Sequence, residues 1–158
     1  MLMDERLEFA DALNLNTGAP ATFNLGDVID THGPTIGHNA GQNVKRDLGV
    51  HNELYLVIMM QAAGTSGGGA TGQFRLVSDD VNPPDLATAT IHFQTGAVPV
   101  ASMGAGAVLA VVPLPSGMYE RYVGIQQITA GAAFTGGSIN AFLTADPSIW
   151  RAYADNVS

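Results

Sequence analysis

From residue 53 onward the chain is a succession of short apolar or alternating runs, each closed by glycine or proline. Residues 53–63 (ELYLVIMMQAA) are continuously apolar, the pattern of a strand buried on both faces. Residues 64–72 (GTSGGGATG) form a flexible connector, and residues 71–78 (TGQFRLVS) alternate, with Phe74 and Leu76 on one side. Residues 79–85 (DDVNPPD) are a turn cluster, after which residues 88–95 alternate again through Ala89, Ile91 and Phe93. Further runs cover residues 107–112, 118–129 and 138–144. Short strands at fairly even spacing predict an all-β fold, a single-domain antiparallel β-sandwich. A jelly roll is one natural way to close so many strands. No long amphipathic helix competes with this reading; residues 147–154 offer one short turn.

The first third is less regular. In residues 1–15, Leu7, Phe9, Leu13 and Leu15 alternate as in a strand, and a short helix over residues 5–13 fits almost as well. An extended N-terminal arm is the preferred reading. Residues 16–49 are rich in Gly, Asn, Thr, Asp and Pro, and only Asp27, Val28, Ile29 and Asp30 suggest a short strand. So long an irregular segment usually marks a functional or partner-ordered loop. The expected plan is one domain, 1–158: an arm (1–15), a long irregular segment (16–49), the sandwich core (50–147) and a tail (148–158).

Charge narrows the function. Asp and Glu number 14 against 6 Lys and Arg, a net charge of −8, and the six cations are scattered. Nucleic-acid binding needs basic patches, so neither nucleic acid nor an anionic membrane is expected as a partner. Only 13% of residues are charged, against about 25% in ordinary soluble proteins. No Asp, Glu, Lys or Arg lies between Asp85 and Glu120, or between Arg121 and Asp146. Two readings stay open: a surface built from uncharged polar residues, or one covered by partners. The apolar stretch 97–115 is broken by Pro99, Gly104, Gly106, Pro113 and Pro115, which suits loops and strands better than a membrane helix. Asp4, Glu5 and Glu8 are out of place in a signal peptide, so synthesis in a cytoplasm is expected.

No residue set predicts catalysis. Residues 64–68 match the G-x-S-x-G elbow, but that motif needs a helix after Ser66, and here a strand follows. His32, His38, His51 and Glu53 could be drawn together as a metal site; loop histidines in solvent, with His92 on the outward side of a strand, are the preferred reading. Asp79, Asp80 and Asp85 lack the spacing of a calcium loop and read as turn carboxylates. No cofactor and no metal are expected, and zero cysteines exclude a thiol nucleophile.

Three stretches carry a resemblance. They are residues 98–102 (VPVAS), residues 113–124 (PLPSGMYERYVG) and residues 137–147 (GSINAFLTADP). With them go the opening MLMD…LEFADA, and RDLG followed by ELYLV. Together they resemble the capsid cement (decoration) proteins of certain tailed bacteriophages, whose type member comes from a Bordetella phage. Residues 14–42 match least. The resemblance implies a jelly-roll-like sandwich on the outer capsid surface of the virion. It would bind the major capsid protein, bridge neighbouring shell subunits and self-associate, as a dimer rather than a trimer, without enzymatic activity. A minor head-fibre or tail module with a carbohydrate or protein ligand, and a small metal-dependent jelly-roll enzyme, are the competing readings. Leu2, Leu7, Phe9 and Leu13 are candidate contacts of the arm, the alternative being that the arm pairs with its own sheet. Tyr119 and Arg121 are of types enriched at interface hot spots, the alternative being a core tyrosine and a surface Glu120–Arg121 pair.

Overall fold

The computed structural model describes residues 7–33, 44–45 and 54–147. Eleven strands follow in chain order: β1 (Glu8–Asn14), β2 (Thr22–Asp30), β3 (His32–Gly33), β4 (Val44–Lys45), β5 (Tyr55–Thr65), β6 (Thr71–Asp79), β7 (Thr90–Gln94), β8 (Val98–Pro99), β9 (Val108–Pro113), β10 (Tyr122–Ala130) and β11 (Gly136–Thr144). Sheet I has the order β1-β11-β5-β9, and sheet II the order β2-β10-β6-β7, with β8 also paired to β6. All pairings are antiparallel. Consecutive long strands mostly cross from one sheet to the other, so each sheet interleaves early and late strands. That is the double Greek key of a jelly roll, and the expected all-β sandwich is what forms.

Alternation builds the core. Leu56, Ile58 and Met60 of β5, Phe74 and Leu76 of β6, Val123 and Ile125 of β10, and Ile139, Ala141 and Leu143 of β11 all point between the sheets. β5 is the run that looked buried on both faces; Val57, which points away from that core, is also fully buried. The β6–β10 ladder runs through nine residue pairs, from Tyr122↔Asp79 to Ala130↔Thr71, without a register shift.

Two expectations about the first third change. The sandwich does not begin at residue 50, because β1 and β2 complete the two sheets and send Phe9, Leu25 and Ile29 into the core, with Leu15 just after β1. The strand expected over residues 27–30 extends back to Thr22. Gly26 disguised it. Its φ of +68° belongs to a bulge: β10 advances two positions, from Val123 to Ile125, while β2 goes from Ile29 to Leu25. A Cβ on Gly26 would lie 1.8 Å from the Phe9 carbonyl oxygen, so only glycine lets β1 pass this close to β2. The β1–β2 link is pinned by the buried Gln127, whose Oε1 accepts from Asn16 N–H (3.0 Å) and whose Nε2 donates to the Asn16 carbonyl (3.1 Å). The expected tail, 148–158, lies outside the described residues.

Candidate interaction surface

The residues singled out from the sequence divide by location. Leu2 lies outside the described residues. Leu7 and Leu13 are partly buried against the core, and Phe9 is fully buried within it. The arm therefore pairs with its own sheet, through β11, and Phe9 is corrected from a partner contact to a core residue. A second bulge follows in β1: the register shifts between Ala10 and Leu13, Ala12 takes φ +46°, and its N–H donates to Asn140 Oδ1 at 2.6 Å.

Tyr119 and Arg121 differ from the expectation in their place in the fold. They precede β10 rather than alternate within it. Tyr119 is 4% exposed, donates its hydroxyl to the Pro115 carbonyl (2.6 Å) and stacks on His92 with ring centroids 4.0 Å apart. Burial pushes its phenol up to about 12. Arg121 grips Asp30 with two hydrogen bonds, Nε to Oδ1 (3.0 Å) and Nη2 to Oδ2 (2.9 Å), and lies 4.8 Å over the Tyr122 ring. Both residues are occupied in closing the end of sheet II.

His92 is not the outward strand residue expected. It is half-buried, its Nε2 lies 2.7 Å from Ser78 Oγ, and burial lowers its pKa, against a smaller opposing effect of Glu120. Ser66 Oγ donates to the Ala133 carbonyl (2.8 Å) and accepts the N–H groups of Gly68 and Ala70, and β6 follows it, so the hydroxyl organises a turn. Asp79 accepts from Val81 and Asp85 N–H, and Asp85 from Ala87 and Thr88 N–H, as turn carboxylates do. Those last two bonds lower the Asp85 pKa. His38, His51 and Glu53 lie outside the described residues, as does the His32 side chain; among the described residues no cluster of three His, Asp or Glu could hold a metal. No helix among the described residues is long and apolar enough to cross a membrane.

The surface that the sequence did not single out lies on the outer face of sheet II. Asn24 of β2, Gln126 of β10 and Arg75 of β6 stand opposite one another in register. Gln126 Nε2 donates to Asn24 Oδ1 (2.8 Å), and Arg75 Nε donates to Gln126 Oε1 (2.8 Å). The same row then holds three consecutive carbonyls of the β6–β7 connection. Asn24 Nδ2 donates to Pro84 (2.9 Å), Gln126 Nε2 to Asp85 (3.2 Å), and Arg75 Nη2 to Leu86 (2.9 Å). Pro84 and Val28 both lie close to Gly124, where a side chain would meet them. Residues 84–86 are thus strapped across three strands.

What the strap displays is apolar. Val81 is 60% exposed, Leu86 43% and Ile91 48%. Ile91 owes its position to another bulge: Leu76 pairs with Phe93, but the next residue, Val77, pairs with Ile91. The extra residue is His92. The shift leaves Phe93 packed on the core and turns Ile91 to the outer face beside Val77. Strict alternation had put Ile91 and Phe93 on one side; the only sequence signal for the surface was three apolar residues around the polar DDVNPPD turn.

The class of the protein follows from these elements: an antiparallel jelly-roll sandwich whose most distinctive face is a strapped, partly apolar loop. Residues 21–143 match the family model Bbp16, more than half of the chain. The protein therefore belongs to the Bbp16 family, a family of Bordetella-phage proteins. No curated protein matches the chain.

Proposed function

We propose that this protein is a structural component of a phage virion that binds the outer surface of the capsid and bridges neighbouring copies of the major capsid protein, stabilising the head. The observation that carries the reading is the Bbp16 match, which spans both sheets from just before β2 into β11. The antiparallel jelly roll supports it, an architecture that viral capsid domains use. In this role the chain self-associates, as a dimer rather than a trimer. A symmetric shell repeats one binding site many times, so a dimer engaging two sites gains avidity without new contacts.

The test is quantitative mass spectrometry of gradient-purified particles, with and without tails. Abundance comparable with the major capsid protein, retained on tailless heads, is the expected result. A few copies lost together with the tails would replace the reading with a fibre or tail module. Absence from particles would overturn it.

A further inference from the structure

We infer that the strapped β6–β7 connection with Ile91 is the face by which this chain docks on the shell, against a protein surface with an apolar depression rimmed by lysine or arginine. The inference rests on the cement reading above and adds to it the face and the chemistry of the contact.

Three observations support it. First, the apolar side chains lie on or beside a braced segment, residues 84–86. Val81, Leu86 and Ile91 make up three of the five large hydrophobics exposed among the described residues, and all three belong to this connection or the start of β7. Isolated exposed apolar residues need no explanation, but a group on or beside one braced segment marks an interaction site. The row of Asn24, Gln126 and Arg75 holds the backbone beneath Leu86, so little ordering entropy remains to be lost on binding. Second, Ile91 faces outward only because of the bulge at His92; regular pairing would place it on the other side.

Third, the charge points to one kind of partner. Asp79, Asp80 and Asp85 surround Val81 and precede Leu86. The sequences of β2, β6, β7, β10 and residues 80–89 hold one Lys or Arg, Arg75, whose guanidinium is engaged beneath the strap. A second copy meeting this face in a twofold contact would set the same three aspartates against their equivalents. A basic-rimmed partner instead gains complementary potential and a faster encounter.

The experiment is a binding titration of the full chain to shells assembled from the major capsid protein of the phage that encodes it. The variants are L86D, I91D and, on the outer edge of sheet I, V108D, which adds the same charge at a 41% exposed position. L86S and I91S stand in for either Asp variant whose circular dichroism departs from wild type. The expected result is a loss of at least about tenfold in affinity for the Leu86 and Ile91 variants, with V108D unchanged. Wild-type affinity should also fall as salt rises from about 50 mM to about 500 mM. Wild-type affinity in both loop variants overturns the docking face and leaves the cement reading standing. Affinity indifferent to salt overturns the basic rim. Wild-type protein that does not bind shells overturns the cement reading, and the docking face with it.

Discussion

β2 and β7 lie on the two sides of the unbroken β6–β10 ladder, and each departs from regular pairing at a bulge. In β2 the bulge serves closure. Gly26 takes a left-handed φ so that β1 can cross over it, and the two sheets meet at that corner. In β7 the bulge serves presentation. One extra residue, His92, turns inward to Ser78 and Tyr119, and Ile91 turns out to solvent. The same local device is spent on folding at one edge and on surface at the other. Changes at the first should therefore be read as lost stability, and changes at the second as altered contacts.

The largest effect is expected at the closing bulge. Gly26→Ala adds a Cβ against the Phe9 carbonyl at a positive φ. Left-handed strain and overpacking together should cost about 3–5 kcal/mol, measured by denaturant unfolding. Gly96→Ala, where nothing lies within 4 Å of the added Cβ, should change stability by less than about 0.5 kcal/mol. Equal costs at the two glycines would end the contrast. Next comes the support beneath the strap. Gln126→Leu removes the middle of the row and leaves Arg75 and Asn24 each short of a partner. It should cost about 2 kcal/mol, and limited proteolysis should then cut within residues 80–89 before the rest of the sandwich.

The His92 contact sharpens the comparison through pH. Burial lowers its folded pKa below the ordinary 6.5, so between those two values the unfolded chain binds the proton more readily. Stability from this group is complete above about pH 6.5 and is lost as pH falls through the lowered value. Melting temperature followed downward from pH 7 should decline more steeply for wild type than for His92→Gln. Parallel declines would mean that the neutral ring adds nothing. The smallest effect is expected at Ile91 itself: Ile91→Ser should shift stability by less than about 0.5 kcal/mol, since the side chain is half exposed. A large loss would make it a packing residue.

The sandwich was legible where a strand carries a long apolar or alternating run, even where its pairing shifts register, as between β5 and β9 or β11. β5, β6, β9 and β11 fall close to their apolar runs, and the β6–β10 ladder joins two of the clearest. β2 was hidden because the sequence TFNLGDVID carries a glycine and two aspartates, which read as loop when the bulge that uses Gly26 is unknown. Residues 118–121 looked like strand because they are mostly large and alternate with polar types. They lie in irregular chain before β10, where the Tyr119 hydroxyl bonds back to Pro115. The candidate surface was legible only as composition. A one-residue slip reverses which face a side chain occupies, and Ile91 and Phe93, two positions apart, end on different sides for that reason. Phe9 shows the converse: its apolar character was plain, but the sheet it would cover was not.

The row of Asn24, Gln126 and Arg75 has a mechanical consequence. A pull on residues 84–86 is not delivered to β7 alone, where hydrogen bonds could be peeled one at a time. It enters β2, β10 and β6 together, because each strand holds its own carbonyl of the loop. Bonds that share a load fail only when several give way at once. The β6–β7 connection therefore behaves as an anchor plate, spreading tension at one point over the width of a sheet.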